Sequence, residues 1–422
     1  MYLLKNVRLY TGDAIYQNGA VLIDGNVILY AGDEVGMTAP PLNGKKITVL
    51  DGAGGICMPG LCNAHTHAAM VYLRGVGSDL PLYDWLNRVV PIENKYTPDM
   101  IYTGTTLAIM EMLRYGVTAF ADMYYHMESA IHAARDSKIR ANLCRGSSSL
   151  EGVACHNGWH RDYDNPDGLI RIYTGLHAEY TSDPSIAAAV AETARELHTG
   201  IHVHVSETEA EVRGCIERHG VTPVEYFARL GLFDSPALAA HCVHVTDDDI
   251  RILKEHNVTA VHCPASNMKL ASGIARVRRL AEEKINIAIG TDGAASNDTL
   301  DMFREMRLAS LLSKVSTGDA SSLPADNVIK MATENGAQAM GFDKVGKLAA
   351  GYKADLILLR GDALHLAVDD IAAAIVYSAC GADVRMTMVD GKILYCDGEY
   401  ATIDAERAIF EGRAIKAALY NQ

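Results

Sequence analysis

No window of the sequence approaches 18 consecutive apolar residues, so no membrane-spanning helix is expected. Met1 to Tyr10 interrupts its apolar residues with Lys5 and Arg8 and does not read as a signal peptide. The nine cysteines (57, 62, 144, 155, 215, 242, 263, 380 and 396) are an odd set without C-x-x-C spacing. That argues against a disulfide framework or a zinc ribbon and for reduced thiols in a cytoplasmic protein. Positive charge is scarce: 38 Lys and Arg stand against 52 Asp and Glu, a net charge of -14. Nucleic acid or an anionic membrane would be repelled, which leaves a small molecule as the expected partner. Phosphate loops are missing too, because Asp51-Gly-Ala-Gly-Gly55 lacks the G-K-[ST] ending and the following helix and reads as a linker between domains. What remains is a chain of 422 residues, 49% hydrophobic and 21% charged, enough for one large core or two moderate ones.

Residues 2 to 55 alternate short Val/Ile/Leu/Tyr runs with turn signals, notably Asp24-Gly25, and predict hairpins. The far end repeats the style around Ala354–Leu359, Arg385–Val389 and Asp390-Gly391. Two hairpin-rich ends most simply pair with each other, since pairing removes exposed strand edges. A small β-sandwich domain from residues 1–56 and 346–422 is therefore expected around a central domain, 57–345. In between, β-branched runs recur at 117–121, 139–144, 170–176, 201–205, 237–240, 258–261 and 285–289. Helices with proper ends separate many of them: Thr97-Pro98 to Gly116, Asp183-Pro184 to Gly200, and a capping-box start at Thr246 and Asp249. With the strand before His65, this makes about eight β-then-α units and predicts an α/β fold, a closed (β/α)8 TIM barrel. A doubly wound open sheet is the alternative, but no G-x-G-x-x-G turn follows the first strand.

His65 and His67 end the stretch that begins at Pro59-Gly60-Leu61. In an extended strand both point to one side and can face one ion. His204, His241 and Asp292 stand at the ends of the fifth, sixth and eighth strands, where a barrel opens its mouth. Three imidazoles and one carboxylate, with a position left for water, suit a catalytic zinc or similar divalent ion. A two-metal site would usually want a lysine or carboxylate after the fourth strand, and Leu176-His177-Ala178 offers a histidine. One metal is expected.

The set of His-x-His after the first strand, His after the fifth and sixth, and Asp after the eighth resembles the amidohydrolase superfamily. Pro91-Ile-Glu93, Met110-Glu-Met112, Asp122-Met-Tyr124, His204-x-x-Glu207-Thr208, Ala240–His244, Pro264-Ala-Ser-Asn267, Gly290–Asn297 and Gly336–Met340 bring it closer still. Together they resemble the S-adenosylhomocysteine/5′-methylthioadenosine deaminases over almost the whole chain. The resemblance implies His65, His67, His204 and Asp292 as ligands of one divalent metal per subunit, zinc first, with iron, manganese or nickel as alternatives. It implies Glu207, His241 and Asp292 as the catalytic groups: Glu207 moves protons and His241 bonds the attacking water. It further implies substrate contacts from Glu93 to the ribose, from His177, Glu207 and Ser296 around the purine, and from Arg145 to an amino-acid tail. Arg161 would be a second tail-binding arginine, in a segment, 146–165, whose length departs from the family pattern. A triazine-type chlorohydrolase or another aminohydrolase would share the metal shell, and a metal-free relative only the fold. The subunit count, and with it any homo-oligomer, stays open.

Other conspicuous residues take plainer readings. His198, His219 and His256 fall at helix ends, where they suit the dipole. His202 shares the face of His204 but lies deeper, and His262 is expected to be packed or water-bonded. Arg276, Arg278 and Arg279 with Glu282 and Glu283 read as a charged helix face. Tyr83 and Trp85 could roof a purine or simply pack.

Overall fold

The computed structural model describes residues 1–37 and 46–420, so the alternation expected over 2 to 55 lies outside the described residues at 38–45. Turn chemistry organises the two chain ends. Ile15–Asp24 pairs antiparallel with Val27–Asp33 around Asp24-Gly25. Val384–Val389 pairs with Lys392–Cys396 across Asp390-Gly391, both at positive φ (49° and 74°), the turn whose twist matches that of its strands. A Cβ on Gly391 would lie 1.9 Å from the Gly25 carbonyl oxygen, so the hairpin turns from opposite ends of the chain abut. Ile56–Pro59 pairs antiparallel with Leu356–Leu359 and parallel with Tyr2–Tyr10, which joins both ends in one nine-stranded sheet. Leu4, Leu9, Ile23, Leu356 and Met388 are among its buried core.

One expectation needs correction here. Asp51–Gly55 is not a linker between domains; it is a tight turn inside this sheet, with Ala53 and Gly54 at φ 50° and 71°, between Thr48–Asp51 and Ile56–Pro59.

The central runs form two parallel sheets. Leu61–Thr66, Val117–Tyr124, Arg140–Arg145 and Ile170–Ile172 make one of four strands, and Thr174–Leu176, Ile201–Val205, Ala237–His241, Thr259–His262 and Ile287–Ile289 make one of five. Only Tyr173 separates the strands on either side of it, which is why 170–176 reads as a single run. Val117–Tyr124 is buried at every position, the pattern of a parallel strand covered on both faces. At the other edges, the Asp292 N–H donates to the His65 carbonyl (2.9 Å) and the Thr291 N–H to Asn63 Oδ1 (2.9 Å), tying the chain after the last strand to the first. The intervening helices start as expected. Thr97 accepts from the Met100 N–H ahead of Pro98–Arg114, Pro184 opens Pro184–Leu197, and Thr246 and Asp249 form a capping box. Among the described residues no helix is long and apolar enough to cross a membrane.

One buried ion cluster joins the parallel strands to the chain-end sheet. Arg140 donates from Nε to Asp355 Oδ2 (2.6 Å) and from Nη2 to Asp355 Oδ1 (3.0 Å) and Asp390 Oδ1 (2.7 Å). The Arg140 and Asp355 side chains are each 1% exposed. Removing the arginine strands a buried carboxylate, which costs far more than the pair contributes when intact. Arg140→Met is therefore expected to lose about 3–5 kcal/mol in urea unfolding. Arg140→Lys is expected to recover little, since a point charge cannot bridge two carboxylates as a planar fork does.

Candidate active site

Residues at the C-terminal ends of the parallel strands converge. His65 is in the first strand and His67 just beyond it; His204 is in Ile201–Val205, His241 closes Ala237–His241, and Asp292 follows Ile287–Ile289. Asp292 Oδ1 lies 3.3 Å from His67 Nε2 and 3.5 Å from His65 Nε2, and the Nε2 atoms of His67 and His204 are 3.3 Å apart. Two overlapping sets, His65/His204/His241 and His65/His67/Asp292, each gather their ligand atoms within 4.8 Å.

The opposite nitrogens explain the orientation. Nδ1 of His67 faces the Met123 carbonyl (2.6 Å), that of His204 the His177 carbonyl (2.7 Å), and that of His241 Asn267 Oδ1 (2.8 Å). A carbonyl only accepts, so Nδ1 carries the hydrogen at these positions and Nε2 presents a lone pair to the centre. His65 Nδ1 bonds His202 Nε2 at 2.8 Å, and the buried His65 Nε2, which Asp292 Oδ1 approaches only to 3.5 Å, has no hydrogen-bond partner among the described residues. His202 thus orients a candidate ligand. An orphaned ring nitrogen and two acceptor nitrogens facing each other are unfavourable without a cation, and this mixed nitrogen and oxygen donor set fits a divalent one.

Backbone strain is present at the same place. Ser206, His241, Cys242 and Asp292 have φ of 51°, 75°, 47° and 60°, conformations that cost of order 1–3 kcal/mol each in non-glycine residues and persist where the surroundings fix them. A Cβ on Gly290 would fall 2.8 Å from the His65 Cβ and backbone nitrogen, so only glycine lets the last strand pass the first.

Glu207 is buried beside this cluster. Ser272 Oγ donates to its Oε1 (3.1 Å), and its Oε2 lies 3.7 Å from His241 Nε2. Burial raises its pKa above the ordinary carboxylate value, opposed by His241. Glu211 holds the loop beneath it by accepting from the N–H groups of Ser206 (3.0 Å), Glu207 (2.7 Å) and Thr208 (3.4 Å). Asp292 Oδ2 accepts from Ser266 Oγ at 2.6 Å.

A cavity of about 270 Å³ opens over these groups. Leu82, Trp85, Leu86 and Val90 of the helix Leu82–Glu93 form one apolar wall, and Met70, Leu270, Tyr124 and Tyr180 line others. Its polar points include Glu93, His177, Glu207, His241 and Asp292. Glu93 is 5% exposed and accepts from the Tyr124 hydroxyl; burial raises its pKa. Burial lowers His177 to about 4, so this imidazole is neutral at physiological pH. Trp85 lines the cavity and packs in the core, whereas Tyr83 is 41% exposed and lines none of the cavity.

Three expected contacts lie outside the lining. Arg145 ends Arg140–Arg145, half-buried, and its guanidinium has no carboxylate partner among the described residues. The Arg161 side chain is 76% exposed and bonds Asp162 at 2.7 and 2.9 Å. Ser296 is buried, with Oγ donating to the Gly293 carbonyl (3.0 Å). Sequence reasoning assigned no role to Ser266, Asn267, Ser272, Tyr124 or Glu211. Thr208-x-x-Glu211 was readable as a capping box, which it forms. Of the helix-end histidines, His219 bonds Glu179 (2.9 Å) and His256 the Phe233 carbonyl (3.0 Å). Arg278 and Arg279 pair with Glu282 and Glu283, as a charged helix face should.

This arrangement defines a class. The chain belongs to the amidohydrolase family, whose sequence model matches residues 56–394. Within that family it is similar to the 5-methylthioadenosine/S-adenosylhomocysteine deaminase of Moorella thermoacetica, at 44% identity over 400 residues and 92% of each chain. It is also similar to that of Pelotomaculum thermopropionicum, at 41% identity over 418 residues, covering 97% of this chain and 96% of the relative. Among solved structures, an adenosine deaminase from Xanthomonas campestris with bound zinc superposes with a TM-score of 0.93 at 30% identity, covering 100% of this chain and 99% of the other. The zinc complex of an atrazine chlorohydrolase from Arthrobacter aurescens shares the fold, with a TM-score of 0.91 at 24% identity over 99% of this chain and 100% of the other.

Proposed function

We propose that the chain is a metal-dependent hydrolytic deaminase that replaces the 6-amino group of an adenosine derivative with oxygen and releases ammonia. Its substrates would be S-adenosylhomocysteine, 5′-methylthioadenosine, adenosine or 5′-deoxyadenosine. The observation that carries this reading is the presence of two buried carboxylates in the lining of one largely apolar cavity, Glu207 beside the histidine cluster and Glu93 at the end of the helix Leu82–Glu93. His65, His67, His204 and Asp292 would hold one divalent cation, zinc by donor type. When bound, that cation supplies Lewis acidity that brings the pKa of water down towards about 7.

The protein groups do the rest. Glu207 takes the proton of the attacking water and delivers it to the ring nitrogen next to C6, which makes that carbon electrophilic. His241 bonds the attacking oxygen, a role supported by its 3.7 Å approach to Glu207. A C6–O bond forms, the C6–N bond breaks, and Asp292 helps protonate the departing ammonia. Glu93 accepts from the ribose hydroxyls and neutral His177 contacts the purine. Arg145 reaches an amino-acid tail when one is present, a role supported by its lack of a carboxylate partner among the described residues. Arg161 and Ser296 keep no role in this reading.

The two parallel sheets form one closed (β/α)8 barrel, a reading supported by the bonds from Thr291 and Asp292 back to the first strand. Residues 57–345 form the catalytic domain, and 1–56 with 346–422 a β-sandwich domain built on the shared sheet. The nine free cysteines support a reducing, cytoplasmic setting.

The test is ammonia release from the four adenosine derivatives, cytosine, guanine and triazines, with metal analysis of the same protein. Ammonia from the adenosines and about one equivalent of divalent metal per chain are expected. A triazine offers no vicinal hydroxyls to Glu93, so chloride release from atrazine should be absent. Guanine or atrazine turnover without adenosine turnover would overturn the substrate reading. Two tightly held metal equivalents would overturn the single-metal site.

A further inference from the structure

We propose that Glu305, which neither lines the cavity nor belongs to the cluster, is a positioning residue for the metal ligands. The proposal rests on the metal-site reading above. Glu305 is in the helix Met302–Thr317 and is 0% exposed. Its Oε2 accepts from the Ala265 N–H (3.1 Å) and its Oε1 from Asn297 Nδ2 (2.9 Å). Those contacts sit on two different loops, one following Thr259–His262 and the other following Ile287–Ile289.

Each loop orients the cluster. Next to Ala265, Ser266 donates to Asp292 Oδ2 and Asn267 receives His241 Nδ1. Asn297 Nδ2 also donates to the Thr291 carbonyl (2.7 Å), the residue before Asp292. Glu305 is therefore one link from both loops and two links from Asp292 by either route. Lys269 makes a second tie between the loops, from Nζ to the Ala295 carbonyl (3.0 Å).

A carboxylate that merely satisfied the short helix Pro264–Lys269 would account for Ala265 but not for Asn297. The group is also costly to keep, since no cation pairs with it among the described residues and burial pushes its pKa up to about 8, against the pull of Asn297 and Ala265. Two donors converge on two carboxylate oxygens. Glutamine has the same shape but one acceptor end, and its amide would set N–H against N–H at the other. Glu305→Gln therefore cuts one tie at nearly constant volume.

The decisive experiment loads wild type, Glu305→Gln and Thr387→Val with Co2+ alone and follows the visible spectrum, chelator competition and steady-state kinetics. Thr387 is the control for a general loss of stability: its buried hydroxyl donates to the Leu113 carbonyl (2.7 Å), between the chain-end sheet and the helix Pro98–Arg114, outside the cluster. Glu305→Gln should bind Co2+ roughly 10–100-fold more weakly, with altered bands, and lower kcat while KM holds. Thr387→Val should lower Tm and change none of these. If Glu305→Gln cannot be folded, Asn297→Ser cuts the same link from the other loop and is judged by the same readouts. A variant with the wild-type Co2+ spectrum and affinity overturns the proposal. A wild type that binds no Co2+ overturns the metal site itself, and this proposal with it.

Discussion

Glu207→Gln should keep its fold and its metal yet turn over about 10²–10⁴-fold more slowly, the usual contribution of a positioned acid–base group. The substitution is nearly isosteric, and the amide oxygen can still accept from Ser272 Oγ, which now sits 3.1 Å from Oε1. The backbone anchor is untouched, because Glu211 holds the Glu207 N–H at 2.7 Å whatever the side chain. What disappears is the capacity to take a proton and give it back. Burial raises the Glu207 pKa, so in wild type the acid limb of kcat/KM should lie above the ordinary carboxylate range. The sign follows directly: as pH falls through that raised value Glu207 gains a proton, can no longer accept one from water, and the rate drops. The variant should lose this limb. Near-normal turnover at full metal occupancy would remove Glu207 from the chemistry.

The contrast between the legible and the hidden parts of this site is physical. His65, His67, His204, His241 and Asp292 were readable because each stands at the end of an apolar run, and alternation fixes which side of a strand a residue faces. The strand ends themselves moved by only a few residues, as between 237–240 and Ala237–His241. Glu305 and Ser272 were not readable. They come from a helix and a loop whose spacing carries no signal of what they face, and their role exists only once the strands are aligned. Arg161 shows how residue type alone says little of partners: a guanidinium suited to a carboxylate is, in the fold, paired with its own neighbour Asp162. Asp51–Gly55 misled for a related reason, since glycine density marks sharp turning and does not say whether the turn lies between domains or within one sheet. His202 reads as lying deeper than His204 on the same face, but what its ring meets, His65 Nδ1, carries no sequence signal.

Substrate choice gives the second large effect. Glu93→Ala should lower kcat/KM for adenosine, 5′-methylthioadenosine and S-adenosylhomocysteine alike, by roughly 1.5–3 kcal/mol, the range of hydrogen bonds to charged groups. The carboxylate lines the cavity with its Oε1 already taken by the Tyr124 hydroxyl, which fixes its plane and leaves the other oxygen to accept. Ala at 93 also strands the buried Tyr124 hydroxyl, so a loss could come from the fold. 2′,3′-Dideoxyadenosine separates the two causes: with no vicinal hydroxyls to bind, it should be turned over almost equally by wild type and variant. Arg145→Ala should behave differently, because its guanidinium, without a carboxylate partner among the described residues and outside the cavity lining, can engage only a substituent long and acidic enough to reach it. S-adenosylhomocysteine should lose about 2 kcal/mol or more of transition-state binding, and 5′-methylthioadenosine and adenosine almost none. Equal losses on all three nucleosides would assign Arg145 to the scaffold, and the apolar wall of Leu82, Trp85, Leu86 and Val90 would then favour the 5′-methylthio and 5′-deoxy substrates.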